Sequence, residues 1–256
     1  MDYGFKSAQF DFEYKEELID SKVLWESHCH AQYEMISVLD GDIRVVLEGK
    51  SYPLTANQTA IIPPLLYHTI VTNKKGRYRR VRVFFDISAI PPILRPYFSE
   101  ITSEVLIFPC FSAVELKKIC LSDRAAFYEP LAESLMVQIF YDGIRLGESR
   151  PTANIDAALQ EILDYIDAHL CEKICLDDIA LHTARSKSSV CHSFEEKMKV
   201  SPKQYILQKR LALADRLMRD GVPPCEAAMR VGYENYSNFY RMYKKHFKES
   251  PTGAHK

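Results

Sequence analysis

Apolar and polar positions alternate with a period of two through much of the first hundred residues. YEMISVLDG (33–41), DIRVVLEGKSYPL (42–54), QTAIIPP (58–64) and YRRVRVFFDI (78–87) are short runs rich in Val, Ile, Tyr and Phe. Asp-Gly, Glu-Gly, Asn and Pro punctuate them, which is the signature of strands separated by tight turns. Several such strands at close spacing predict a sandwich or small barrel. From about Ser112 the period lengthens. Leu131, Leu135 and Ile139 recur every four residues, joined by Met136 and Phe140, which predicts a helical stripe. Gly147, Ser149 and Pro151 then interrupt the pattern, and only helical segments follow. The fold class expected is α+β in two domains: a β-barrel with a helical hairpin over 1–147, a linker over 148–154, and an all-α domain over 155–256.

The helical half repeats one design twice. LDDIALHTARSKSSVCHSFEEKM (176–198) reads as a short helix, a tight turn and a second helix. Ala180 is small where two crossing helices approach, and Ser186 suits the N-cap of the second helix. Val190, Phe194 and Met198 lie four apart and face inward. Ser188, Ser189 and His192 then face outward, where a recognition helix meets base edges. Ser201-Pro202 supplies a cap and a proline at the first helical position, opening a long helix that stops at Gly221. CEAAMRVGYENYSNFYRMYKKHF (225–247) is the second copy, with Ala227 and Ala228 as contact residues, Gly232 ending its first helix and Asn235 capping its second. Phe239, Tyr243 and Phe247 face inward; Ser237, Tyr240, Arg241 and Lys244 face out. Two such units joined by one helix are suited to successive major-groove faces about 34 Å apart.

The segment 155–251 resembles the DNA-binding domain of AraC/XylS-type transcription regulators. The likeness is carried by LDDIA (176–180), SKSSVCHSFEEKMKVSPKQYI (186–206), KRLALADRLM (209–218) and AAMRVGYENYSNFYRMYKKHF (227–247). It implies tandem helix-turn-helix units whose reading residues are Lys187, Ser188, Ser189, Cys191 and His192 in the first. In the second they are Tyr236, Ser237, Tyr240 and Arg241, with Lys244 and Lys245 near phosphates. Three departures stand out: Glu195-Glu196 where the family usually carries lysines, Lys248 where glycine is common, and a TGAHK ending without the usual tyrosine and arginine. Carboxylates near phosphate repel, so the first reader is expected to use chiefly its N-terminal turn.

Charge agrees with a polyanion partner for this half. The formal net charge of −1 conceals an asymmetry. Residues 185–256 carry 15 Lys and Arg against 7 Asp and Glu, whereas 1–184 carry 18 against 27. A basic third on an acidic body is the electrostatic footprint of nucleic-acid binding, although a solvated basic face has the same composition. Composition otherwise excludes the disordered and fibrous classes: 47% of residues are hydrophobic and 26% charged. No basic segment leads into an apolar run at the start, and no apolar stretch is long enough to span a bilayer. The seven cysteines are scattered and odd in number, as expected of reduced thiols in a cytoplasm. Cys171 and Cys175 lack a second pair, so packing is their default role.

The β half carries candidate ligand chemistry. His28, His30 and Glu34 are all even-numbered and project to one side of a strand. His68 follows on what reads as a facing strand. Such a set suits zinc, nickel, iron or manganese, and equally suits a polar pocket that hydrogen-bonds a small molecule. The spacing resembles the cupin superfamily: H-x-H-x3-E-x6-G is complete from His28 to Gly41. P-x-G-x2-H is present from Pro63 to His68 except that Leu65 replaces the glycine, and Asn73 falls one position late for the usual asparagine. Both resemblances together imply a cytoplasmic, non-enzymatic regulator, more often an activator than a repressor. They imply a cupin-like barrel that senses a sugar or related carbon source, and promoter DNA and RNA polymerase as partners. Pocket neighbours expected beside the four ligands are Trp25, Tyr33 and Arg82. The tail 112–147 either mates two subunits as a homodimer or packs on its own barrel. The rival reading is a metal-dependent cupin enzyme joined to a DNA-binding domain.

Overall fold

The computed structural model describes residues 2–21, 23–25, 27–72, 74–149, 151 and 155–252. Residues 150 and 152–154 of the expected linker, Asn73, and Gly253–Lys256 of the unusual ending therefore lie outside the described residues. The chain divides into two compact units: 1–26, 32–64 and 69–153 form one, and 27–31, 65–68 and 154–256 the other.

The first unit is built from antiparallel strands. β1 (Asp2–Lys6), β2 (Phe10–Ile19), β3 (Val23–Leu24), β4 (Tyr33–Asp40), β5 (Ile43–Leu47), β6 (Lys50–Leu54), β7 (Gln58–Ile62), β8 (His68–Thr72), β9 (Gly76–Phe85) and β10 (Leu106–Pro109) form two sheets. Their orders are β1-β2-β9-β4-β7-β10 and β3-β8-β5-β6. The run 42–54 is a hairpin rather than one strand. Glu48 and Gly49 both take left-handed backbone (φ 45° and 86°), as the tight hairpin turn between paired strands requires. Helices α1 (Arg95–Glu100), α2 (Ala113–Cys120) and α3 (Glu129–Leu146) complete the unit.

Register gives the large sheet two faces of different chemistry. Phe10, Phe12 and Tyr14 of β2 pair with Phe85, Val83 and Val81 of β9, and Tyr33 and Met35 of β4 pair with Phe85 and Val83. All of these are buried in one core with Leu116 and Ile119 of α2 and Met136, Ile139 and Phe140 of α3. Full burial of one such side chain stabilises by about 1.5–3 kcal/mol. The alternate positions form the other face. There Glu13, Lys15 and Glu17 of β2 lie opposite Arg82, Arg80 and Tyr78 of β9. Side chains in a strand alternate strictly, so the two rows cannot mix.

The helical stripe of 129–146 is rotated from its sequence expectation. The buried positions are Ala132, Met136, Ile139, Phe140 and Gly143. Leu135 packs at the edge of the core, but Leu131 is 51% exposed. The spacing of four was read correctly, yet Leu131 lies in the first turn, and the small residues Ala132 and Gly143 set the true face. Gly143 allows Phe108 of β10 to approach: a Cβ there would meet its ring at 3.2 Å.

The second unit holds α4 (Ala157–Ala168), α5 (Leu176–His182), α6 (Lys187–Met198), α7 (Pro202–Arg219), α8 (Pro224–Arg230) and α9 (Tyr236–Phe247). The expected caps form: Ser186, Ser201 and Asn235 each accept a hydrogen bond from the backbone N–H three residues on. α7 is the shared spine. Its Tyr205 and Ala212 join Val190, Phe194 and Met198 in one core, while its Leu211, Ala214 and Met218 join Ala227, Phe239 and Tyr243 in another. Phe247, expected inside, packs only at the edge of that second core. Gly232 sits in the turn before α9 with φ +85°, and a Cβ there would meet the Cys171 carbonyl oxygen at 2.6 Å.

Both α6 and α9 end on a lysine in left-handed backbone, Lys199 at φ 59° and Lys248 at φ 65°. A residue with a Cβ pays about 1–2 kcal/mol for that conformation, and glycine avoids it. Lys248→Gly is therefore expected to stabilise the chain by about 0.5–1 kcal/mol after its extra unfolded-state entropy is counted. An unchanged urea midpoint would show that the lysine's attraction to the helix C-terminus offsets the strain.

Candidate nucleic-acid interface and effector site

The second helix of each helix-turn-helix unit presents the residues expected to read DNA. On α6, Lys187, Ser188, Ser189 and His192 are exposed and Cys191 is half-buried, on the side away from Val190, Phe194 and Met198. On α9, Ser237, Arg241, Lys244 and Lys245 are exposed, and Tyr236 and Tyr240 are half-buried. Tyr236 leans on the core, its ring 5.9 Å from Phe239, and burial raises its hydroxyl pKa.

The two helices differ in electrostatics. Lys187 is paired with Asp177 at 2.5 Å, a contact that raises its pKa. Lys197 is paired with Asp156 at 2.6 Å, and Glu195 and Glu196 are exposed beside it. Among the described residues, Arg241, Lys244 and Lys245 take part in no ion pair, so α9 offers three available cations and α6 none. Beneath α9 lies a buried polar group that sequence reasoning missed. Asp215 on α7 accepts from the Tyr243 hydroxyl and from Arg219 Nε, the latter at 2.8 Å. Burial, and then that carboxylate, drive the Tyr243 hydroxyl pKa well upward. Lys209 is similarly buried, donating to Asp167 at 2.7 Å and to the Tyr205 hydroxyl at 3.2 Å.

His28, His30, Glu34 and His68 each offer one ligand atom, all within 4.8 Å of one another. His28 and His68 exchange backbone hydrogen bonds at 2.9 Å, and their rings lie 4.6 Å apart. His68 Nδ1 lies 2.9 Å from the Leu66 carbonyl oxygen. A carbonyl only accepts, so that nitrogen carries the proton and Nε2 carries the lone pair a metal or hydroxyl would use. Leu65, where the motif has glycine, holds the left-handed backbone that glycine favours, at φ 66°. The departure in sequence is thus not a departure in chain path. Leu65 packs against the core that contains Cys29 and Tyr67, which alternate with the histidines.

Of the expected pocket neighbours, Arg82 lies beside Glu34, its Nη1 4.0 Å from Oε1. Trp25 follows β3, and its ring lies 5.5 Å from that of Tyr78, tilted by 50°. Tyr33 is a correction. It is odd-numbered on β4, so it faces the helix-covered core, stacks on Phe85 at 5.4 Å and donates to the Phe98 carbonyl at 3.2 Å. Sequence reasoning also missed Arg80 and Glu13. The signal was present in YRRVRVFFDI and FDFEYKEELI, where charged residues alternate with apolar ones, but only the register shows that the two charged rows share a face.

A helix-turn-helix domain model matches residues 179–256, and a cupin domain model matches residues 22–82. The chain is thus similar to helix-turn-helix transcription regulators in its C-terminal segment and to cupin domains in its N-terminal one. It is 23% identical to YdiP of Escherichia coli, a helix-turn-helix-type transcriptional regulator, over 89% of this chain and 80% of that one. It is 26% identical to RhaS of Citrobacter koseri, a transcriptional activator, over 39% of this chain and 36% of that one. A solved structure of ToxT from Vibrio cholerae is 13% identical and superposes with a TM-score of 0.44, covering 95% of this chain and 97% of that one. The helix-turn-helix match falls on the half that carries α6 and α9. No helix among the described residues is long and apolar enough to cross a membrane.

Proposed function

We propose that this chain is a transcription regulator, an activator that binds promoter DNA through α6 and α9 when a small effector, a sugar or related carbon-source compound, occupies the barrel. The observation that carries the reading is the pairing of two capped, outward-facing helices on one spine, α7, with a convergent polar cluster in the β half. Lys187, Ser188, Ser189, Cys191 and His192 meet the first groove face. Tyr236, Ser237, Tyr240 and Arg241 meet the second, and Lys244 and Lys245 meet phosphates. The domain limits that serve this reading are 1–147, 148–154 and 155–256. The similarity to RhaS, a transcriptional activator, supports activation, which implies contact with RNA polymerase. A dimer is supported by the apolar residues that α3 and the turn before it leave exposed, among them Phe127, Leu131 and Tyr141.

Three histidines and a carboxylate fit a divalent zinc, nickel, iron or manganese ion. His28, His30, Glu34 and His68 would hold it, and it would supply a Lewis acid to the effector's oxygen atoms. That same cluster favours the second reading, a metal-dependent cupin enzyme joined to a DNA-binding domain. Elemental analysis with a turnover assay separates them: stoichiometric iron with turnover supports the enzyme. For the first reading, the test is selection of bound duplexes from a random library, followed by a salt titration. Each phosphate neutralised should contribute about −0.9 to the slope of log affinity on log salt. A flat response would contradict the assignment of α9 as the cationic reader.

A further inference from the structure

A shared spine does not by itself fix how two helix-turn-helix units are turned about it. α7 meets the first helical core through Tyr205 and Ala212 and the second through Leu211, Ala214 and Met218. Each helix-turn-helix unit is thus held to α7 along one stripe. Helix crossing angles scatter by about 15–20° within one kind of packing. A contact away from the spine is needed to narrow that range.

Such a contact lies in the loop between α4 and α5. Arg210 of α7 donates from Nε to the Leu170 carbonyl at 2.7 Å and from Nη2 to the Glu172 carbonyl. A guanidinium presents its donors in a rigid planar fork, so the carbonyls on either side of Cys171 are held together. The turn before α9 rests on this loop. A Cβ on Gly232 would lie 2.6 Å from the Cys171 carbonyl oxygen and 3.3 Å from Arg210 Cζ. Leu170 packs against the first helical core, and Tyr233, next to Gly232, packs against the second. The Tyr233 ring stands edge to face with Phe239 of α9 at 5.3 Å. Burial raises the Tyr233 hydroxyl pKa to about 12, against the opposing charge of Arg210. The guanidinium therefore sits where the two cores meet away from their common helix.

We propose that Arg210 is a positioning residue for DNA reading. By holding the 170–172 loop as a seat for Gly232, it sets the angle between α6 and α9, and with it the spacing of half-sites that one chain accepts. The inference rests on the reading of α6 and α9 as two readers of one duplex. It needs no contact between Arg210 and DNA. Loss of the fork leaves the base preference of each helix intact and relaxes how far apart, and how turned, the two half-sites must be.

The full chain is titrated with the selected duplex and with versions carrying one, two or three base pairs inserted between the half-sites. Two added base pairs turn one half-site by roughly 70° about the duplex axis. Wild type should then lose on the order of a hundredfold in affinity, as expected when two base contacts are forfeited. Arg210→Gln should shrink that ratio about tenfold, the equivalent of one charge-assisted hydrogen bond, while single-base preferences within each half-site hold. Arg210→Lys keeps the charge without the fork and should fall between the two. Urea midpoints are measured for every variant. An equal loss at all spacings that follows the urea midpoint would make Arg210 merely structural and overturn the inference. A spacing ratio unchanged from wild type would also overturn it, and would leave the two-reader assignment standing. If Arg210→Gln does not fold, the ratio for Arg210→Lys decides in the same way. A wild type indifferent to spacing would overturn the two-reader assignment and this inference with it.

Discussion

Phe239→Ala should cost about 3–5 kcal/mol of stability and abolish operator binding without touching the DNA-facing surface. Phe239 is fully buried at the centre of the second helical core. Its ring lies 5.3 Å from Tyr233, 5.6 Å from Tyr243 and 5.9 Å from Tyr236. Alanine removes the ring that these three tyrosines pack against, and the surrounding helices are short: α8 has 7 residues and α9 has 12. Helices of that length are marginal on their own and depend on packing. Domains are typically stable by only about 5–15 kcal/mol, so such a loss leaves little in reserve. Urea unfolding of wild type and variant, read with operator affinity at fixed salt, tests this. A loss below about 1 kcal/mol would mean that this core repacks and that α9 does not rely on it.

Arg241→Ala is expected to weaken operator binding by about 1–3 kcal/mol and to relax sequence preference at one position, as loss of a base contact does. Arg241 is exposed on α9. Among the described residues its side chain has no ion-pair partner, so it arrives at the duplex with its fork available for the O6 and N7 acceptors of guanine. The matching change on α6, Lys187→Ala, should have a smaller effect, because Lys187 must first give up Asp177. Binding isotherms on the selected duplex and on single-base variants distinguish the roles. A uniform loss with a shallower salt slope would reassign Arg241 to phosphate. No loss at all would remove α9 from the reading surface.

The helical half was legible because its signals are local. Caps at Ser186, Ser201 and Asn235 and apolar residues four apart at Val190, Phe194 and Met198 depend only on neighbours within one helix. His28, His30 and Glu34 are singled out by strand parity, but a bend at 31–32 separates the two histidines from β4, so the path of the chain and not one strand brings them together. What stayed hidden depends on pairing between distant segments. β2 carries alternating charge that says nothing until it lies beside β9, and Tyr33, odd-numbered on β4, faces the helix-covered core and not the cluster. β1, β8 and β10 are short strands that borrow their order from neighbours. The Asp215–Tyr243 bond joins two helices whose separate patterns show only a polar residue in an apolar stripe and a tyrosine in another.

The strict alternation on β9 has an evolutionary consequence. Val81, Val83 and Phe85 keep the wall standing, while Arg80 and Arg82 on the alternate row pair with Glu13. A lineage can therefore exchange the second row for other side chains while the packed wall is kept. Chemical divergence of that face costs a few codons rather than a new architecture.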